Sequence, residues 1–275
     1  MRRRVIGASL PDPASPLKLA ERQFVGPVLH DKWLEFSTLG EEPSPELLSP
    51  TDFAEFTRDA ARLGWRVSPH VDNTTLDTAI AGYEAADRDR PLKGRRWIIG
   101  HMPGITPSQM EWLARLGAIV SIQSLPSTHY GELVKALGQV AAERQVPARE
   151  MLDHHLVLIS GTDVAGNAPE GDAVSNPFLR MYFFITRKTP DGQIMGPQEA
   201  VSRADALRFA TINYAYANFD EVQKGSIETG KLADFVVLSG DYLTVPGDDI
   251  PKLHPLATYV GGRKVYAAPG SELRP

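Results

Sequence analysis

Residues 96–123 read RWIIGHMPGITPSQMEWLARLGAIVSIQ, and this stretch decides the fold class. Residues 97–99 (WII) are apolar and include two β-branched isoleucines, which predicts a strand over 96–101. Pro107–Leu116 has helical spacing of its apolar residues, and Gly117 is a typical helix stop. The segment 118–122 (AIVSI) predicts a second strand, so the stretch is one strand–helix–strand unit.

The same rhythm extends to both sides, about four times in all. Continuous apolar strands are typical of parallel sheets, whose strands are buried on both faces. The sequence therefore predicts an α/β protein, either a barrel or a doubly wound sheet. Neither glycine-rich nucleotide-binding fingerprint, G-x-G-x-x-G or G-x-x-x-x-G-K-[ST], follows a strand. The predicted strands are 33–39, 65–71, 96–101, 118–122 and 156–161, and the predicted helices are 51–63, 75–86, 107–116, 131–144 and 203–217.

The last fifty residues change character. Three short strands are predicted there, at 235–238, 257–260 and 264–266. Gly261-Gly262-Arg263 between the last two is a hairpin signal. We therefore expect two parts, an α/β part over residues 1–218 and a β part over residues 219–275.

Composition excludes several classes of protein. The net charge of −5 and the pI near 5.8 argue against a nucleic-acid binder. The absence of cysteine excludes disulfides, thiolate metal sites and a cysteine nucleophile. The longest apolar runs are far shorter than a membrane helix, and no signal peptide is recognisable, so the expected location is the cytoplasm.

Ionisable residues end three of the four apolar strands from 65–71 to 156–161. His70 ends one, His101 the next, and Asp163 follows the strand over 156–161. In parallel α/β folds the chemistry gathers at the carboxyl ends of strands. Two imidazoles and a carboxylate are a sensible ligand set for zinc or a similar divalent ion. The alternative is that each histidine is a hydrogen-bonded structural residue and that Asp163 caps its loop.

Other candidate residues are less distinctive. Tyr130, Asn167 and Arg180 are candidates for lining a pocket beside these strand ends, and the sequence does not rank them. No G-x-S-x-G elbow is present, which argues against a serine hydrolase.

Residues 225–238, GSIETGKLADFVVL, resemble a segment of the metal-dependent amidohydrolases that reads GSIEPGKLADLVVL. Residues 96–123 are similar to that family's R-x-x-I-E-H … L-G-x-x-x-S-x-Q pattern, and Gly161-Thr162-Asp163 is similar to its G-[ST]-D. The branch that the chain resembles is amidohydrolase family 3, the group of N-substituted formamide deformylases and D-aminoacylase relatives.

This resemblance implies a (β/α)₈ barrel of the TIM type, with a small β-sandwich. It implies that His70 and His101 are metal ligands and that Asp163 is both a ligand and the general base. The implied reaction is hydrolysis of a C–N bond, of the amide or formamide type, in a small molecule, with the water activated by the metal. Zinc is the expected metal, with manganese or iron as alternatives.

The sequence also departs from the family pattern. The H-x-H pair of further metal ligands is absent, and the resemblance covers only residues from roughly 30 to 268, the second half of a full-length relative. We therefore expect a partial barrel, from about strand 3 or 4 to strand 8. The family's bridging lysine should fall near residues 33–41, where Glu41 is a possible carboxylate substitute. Gly100 stands where the family has a glutamate, and Pro69 precedes His70.

Three hypotheses follow. In the first, the chain is a split or truncated amidohydrolase that is completed by a second chain or a second copy. In the second, it is a mononuclear hydrolase that uses His70, His101 and Asp163. In the third, it is a non-catalytic relative that serves as a subunit or binding protein. Exposed strand edges are aggregation-prone unless covered, so the first hypothesis predicts a partner or a homo-oligomer.

Overall fold

The computed structural model describes residues 4–5, 34–35, 37–41, 44–101, 104–161 and 176–271, with 4–5, 34–35 and 41 described by their backbone alone. The described strands are β1 Arg4–Val5, β2 Leu34–Glu35, β3 Thr38–Glu41, β4 Arg66–Pro69, β5 Ile98–Ile99, β6 Ile119–Gln123, β7 Val157–Gly161, β8 Phe235–Leu238, β9 Pro255–Val260 and β10 Arg263–Ala267. The described α-helices are α1 Pro50–Leu63, α2 Leu76–Asp89, α3 Pro107–Leu116, α4 Tyr130–Leu137, α5 Gln139–Glu143, α6 Ala148–Asp153, α7 Pro177–Thr186, α8 Arg203–Ala210 and α9 Ile212–Ala217.

Local capping fixes the ends of α1 and α3 where the sequence predicts them. The Ser49 side chain accepts a hydrogen bond from the Asp52 backbone N–H at 3.2 Å, and Gly64 ends α1 with φ 84°. Thr106 and Gln109 form a capping box at the start of α3, and Gly117 ends it with φ 69°. Both helices carry proline in the first turn, where its missing N–H has no cost.

Two predicted helices are each divided in the structure. The helix predicted over 131–144 breaks at Gly138, whose φ of 81° and ψ of 161° are open almost only to glycine. The helix predicted over 203–217 breaks at Thr211, which has φ −129° and ψ −94°. Apolar spacing continued through both sites, so periodicity alone did not reveal the breaks.

Contact clustering divides the chain into two compact units. The first comprises residues 1–122 and 145–158. Its strands pair in parallel, β1 with β2, β3 with β4, and β5 with β6, as the continuous apolar runs predict. Helices α1 and α2 pack closely against each other, with Phe53 and Tyr83 fully buried.

The second unit comprises residues 123–144 and 159–275. It contains α4, α5, the helices from α7 to α9, and an antiparallel sheet in the order β10-β9-β8. Gly261 and Gly262 have φ 59° and 76° in the turn between β9 and β10, which confirms the predicted hairpin. The boundary predicted at 218/219 stays a prediction.

The border between the units falls inside β7, after Leu158. That strand lies beside β6 in a sheet of order β5-β6-β7. The α/β class is thus observed, whereas the strands that the structure describes form separate small sheets, and closure into a barrel remains a prediction. Within the described ranges, no helix is both long enough and apolar enough to span a bilayer.

Candidate metal centre

His70 and His101 lie at the carboxyl ends of β4 and β5. His70 directly follows Pro69, the last residue of β4, and His101 follows β5 after Gly100. The Gly100 N–H donates a hydrogen bond to the Pro69 carbonyl at 3.4 Å, which holds the two strand ends side by side. Both histidines therefore lie at the same edge, where β4 and β5 end.

The two imidazole rings are in contact. Their centroids are 4.0 Å apart, and the rings are inclined by 48°. Both side chains are partly exposed, so the pair is open to a small ligand. Neutral imidazole nitrogen is a preferred ligand of divalent transition metals, and the chemistry of this pair therefore fits such an ion.

His101 has a strained backbone. Its φ is 69°, in the left-handed region that non-glycine residues rarely adopt. Such conformations cost about 1–3 kcal/mol and are concentrated at functional sites. The strained residue is thus one of the two histidines of the candidate site.

Glu46, which the sequence reasoning missed, lies against His70. Its Oε1 is 3.3 Å from Nε2 of His70, and the two side chains are 40% and 34% exposed. A carboxylate on one ring nitrogen fixes the orientation and tautomer of a histidine. Glu46 precedes α1 in an irregular segment, where no periodic pattern marks it.

Tyr83 of α2 contacts the backbones of both β4 and β5. Its hydroxyl donates to the Val67 carbonyl at 3.0 Å and also contacts the Ile98 carbonyl. Burial raises the pKa of Tyr83 well above its usual range, so the hydroxyl keeps its proton at neutral pH. The ring packs edge-on against Trp97, with centroids 5.0 Å apart.

The loops that follow the two histidines are also joined. Asn73 Oδ1 accepts a hydrogen bond from the Gly104 N–H at 2.8 Å. Asp72 Oδ1 accepts from the backbone N–H groups of Thr74 and Thr75, at 2.8 and 2.9 Å. These contacts fix the chain beyond His70, which limits how far that ring can move.

The remaining predicted site residues are placed as follows. Glu41 ends β3, and its backbone pairs in register with Pro69, the residue before His70. Asp163 and Asn167 lie outside the described residues. Tyr130 is buried, and its hydroxyl accepts a hydrogen bond from Gln139 Nε2 at 2.8 Å. Among the described residues alone, no group of three potential metal ligands comes together.

Comparison with known proteins shows the family of this chain. The sequence profile of the amidohydrolase family matches residues 19–266, which is most of the chain. The chain belongs to the amidohydrolase family. The resemblance of residues 225–238 and 96–123 to that family is thereby confirmed.

Two curated relatives resemble this amidohydrolase in sequence. Protein LONG AFTER FAR-RED 3 of Arabidopsis thaliana is 28% identical over 227 residues, covering 80% of this chain and 37% of the relative. The N-substituted formamide deformylase of Arthrobacter pascens is 29% identical over 219 residues, covering 77% of this chain and 38% of the relative. The chain thus spans less than two fifths of the length of the curated relatives it matches.

Solved structures show the same fold. An uncharacterised metal-dependent hydrolase from Pyrococcus horikoshii matches with a TM-score of 0.65 at 18% identity. The match covers 86% of this chain and 50% of the archaeal protein. This amidohydrolase therefore shares its architecture with part of a metal-dependent hydrolase.

Proposed function

We propose that this chain hydrolyses a C–N bond of the amide or formamide type in a small molecule, using a divalent metal ion. The proposal assigns His70 and His101 as ligands, Asp163 as a further ligand and general base, and Glu41 as the carboxylate that would bridge this ion to a second one where two ions bind. The main observation that supports this proposal is the contact between the rings of His70 and His101 at neighbouring strand ends. Their centroids are 4.0 Å apart.

Membership of the amidohydrolase family supports hydrolysis, and the deformylase relative supports a C–N bond as the target. Zinc is the metal that we propose, because two imidazoles and a carboxylate are a common zinc ligand set. When bound, such an ion polarises the substrate carbonyl and lowers the pKa of a water molecule.

The chain's own residues have three tasks in this reaction. His70 and His101 hold the ion, and Glu46 at 3.3 Å from Nε2 of His70 orients that ring. Asp163 takes a proton from the attacking water and donates it to the nitrogen of the leaving amine. The water oxygen thus bonds to the carbonyl carbon, the C–N bond breaks, and the proton taken from the water ends on the leaving amine.

The direct test is metal content. The purified chain is reconstituted with zinc, desalted and measured by elemental analysis, with native mass recorded on the same sample. We expect about one zinc per chain, lost in His70→Ala and in His101→Ala. The native mass tests the expected second chain or homo-oligomer.

His254→Ala is the matched control, because this exposed histidine lies in the C-terminal β region and its Nδ1 contacts the Lys252 carbonyl at 3.1 Å. It should keep its zinc. A wild-type chain that folds but holds no zinc, manganese or iron would overturn the proposal and favour a non-catalytic subunit.

A further inference from the structure

Asn73 and Gly104 occupy equivalent positions in the loops that follow the two histidines. Each lies three residues beyond its histidine, Asn73 after His70 and Gly104 after His101. Asn73 Oδ1 accepts a hydrogen bond from the Gly104 N–H at 2.8 Å, across a sequence separation of 31 residues. The two loops are therefore joined at matching points beyond the histidine pair.

A second hydrogen bond joins the same two chain segments just before the histidines. There the Gly100 N–H donates to the Pro69 carbonyl at 3.4 Å. This distance is long for an N–H···O hydrogen bond, whereas the 2.8 Å bond of Asn73 is within the usual range. We therefore expect the Asn73 bond to be the stronger restraint of the two.

The backbone of His101 depends on restraint by its surroundings. Its φ of 69° is in the left-handed region, which non-glycine residues rarely adopt and which persists only where the surrounding structure holds it. Hydrogen bonds fix the chain one residue before His101, at Gly100, and three residues after it, at Gly104. The strained residue thus lies between two fixed points of the chain.

The close approach of the two loops depends on the glycine at position 104. A Cβ there would lie 3.0 Å from Asn73 Oδ1 and 3.2 Å from Nε2 of Gln145. Both distances are shorter than ordinary van der Waals contact, so a larger residue would press on the acceptor itself. Glycine at this position therefore allows the Asn73 side chain to reach the backbone of the second loop.

We propose that Asn73 is a positioning residue of the candidate metal centre. Its bond to Gly104 holds the backbone of His101, so that the rings of His70 and His101 lie together before an ion binds. Ligands that are already in place lose less conformational entropy on binding than ligands that must first be assembled. The inference rests on the proposed function in one respect, since a divalent ion is the ligand that the two imidazoles would share.

The first test uses the full chain after treatment with a chelator. The ring centroids of His70 and His101 are 4.0 Å apart, which is close enough for a nuclear Overhauser effect (NOE) between ring protons. We expect this NOE in the wild type and in Asn73→Asp, which keeps the acceptor. It should be lost in Asn73→Leu, which has a similar size but no acceptor. Its absence from the wild type, or its persistence in Asn73→Leu, would overturn the proposal.

Arg115→Met is the matched control. Arg115 Nη2 lies 2.5 Å from Glu84 Oε1, so this ion pair also joins residues 31 positions apart, but on α2 and α3, away from the strand ends. Its loss should leave the NOE unchanged. Loss of the NOE in this control would assign the effect to general stability and overturn the proposal.

Gly104→Ala disturbs the same hydrogen bond from the side of the donor. Because the added Cβ presses on Asn73 Oδ1, the NOE should weaken in this variant as well. The variant keeps the proposal open to test even if Asn73→Leu fails to fold. An NOE of wild-type strength in a folded Gly104→Ala chain would count against the positioning role.

Zinc titration against a competing chelator separates this inference from the proposed function. Asn73→Leu should bind zinc roughly tenfold more weakly than the wild type, whereas Asn73→Asp and Arg115→Met should bind it no more weakly. Equal zinc affinity in the wild type and Asn73→Leu would overturn the positioning role and leave the zinc site intact. The expected NOE pattern in a chain that binds no zinc would support the role of Asn73 and overturn the hydrolytic function.

Discussion

The Tyr83 hydroxyl lies 3.0 Å from the carbonyl oxygen of Val67 and also contacts the carbonyl of Ile98. Val67 belongs to β4 and Ile98 to β5, so a single side chain of α2 joins the two strands that end at His70 and His101. The two strands that carry the histidines are thus joined by the hydroxyl group of a side chain on α2.

Tyr83→Phe should loosen this connection. The variant removes a donor that is shared by two backbone carbonyls, one of them in a buried hydrogen bond, so we expect the free energy of unfolding to fall by about 1–3 kcal/mol. Zinc affinity should fall by roughly tenfold, because positioning groups tune metal sites. Urea denaturation and zinc titration measure the two effects, and Tyr266→Phe, at a tyrosine that is 44% exposed, is the control. Unchanged zinc affinity would show that Tyr83 stabilises the fold without positioning the histidines.

Gly82→Ala should destabilise the packing of α1 against α2. A Cβ at Gly82 would lie 2.6 Å from the Phe53 ring, which is completely buried. Overpacking costs about 1–3 kcal/mol, which outweighs the gain of up to about 1 kcal/mol in helix propensity. Gly131→Ala on α4 is the matched control, since its Cβ would meet nothing within 4 Å. Thermal unfolding should show a loss for the first variant and no loss for the second.

Asp248 should stabilise the protein at neutral pH and lose this effect in acid. A hydrogen bond from Lys188 Nζ at 2.7 Å, and a second from the Tyr182 hydroxyl at 2.7 Å, lower the pKa of Asp248 below its usual 3.8. The stabilisation is therefore fully present above pH 3.8 and disappears as the pH falls through the lower pKa of the folded state. The same hydrogen bond raises the pKa of Lys188 above 10.5, so its contribution is lost only as the pH rises beyond that value.

The variant Asp248→Asn tests this pH dependence. We expect its Tm to lie about one to three degrees below the wild type between pH 5 and 9, with the difference vanishing in acid. The pair is exposed, so 1 M salt should reduce the difference. A difference that persisted unchanged at pH 2 would assign the effect to packing and not to charge.

If the chain has the proposed hydrolytic activity, Asp163→Asn should abolish any turnover while sparing the fold, because the asparagine amide cannot accept the proton of the attacking water. Circular dichroism checks the fold, and amine release checks turnover. Turnover equal to that of the wild type would remove Asp163 from the mechanism.

Local signals determined much of the fold directly from the sequence. Proline and glycine placed the ends of α1 and α3, and Gly261-Gly262 placed the hairpin between β9 and β10. These features depend on the φ and ψ preferences of a few adjacent residues, which is why short motifs suffice. Alternation of apolar strands and helices likewise indicated the α/β class, and the motif over residues 225–238 indicated the family.

Tertiary structure decided what depends on residues distant in the chain. The break of the predicted helix at Gly138 lies inside a continuous apolar pattern, and the contact of Glu46 with His70 joins an irregular segment to a strand end. The sequence placed His70 and His101 at successive strand ends, but the 4.0 Å distance between their rings is seen only in the structure, where the Gly100 hydrogen bond and the hydroxyl of Tyr83 join the two strands. Side-chain contacts of this kind are set by how strands and helices pack, and packing leaves no periodic trace in the sequence.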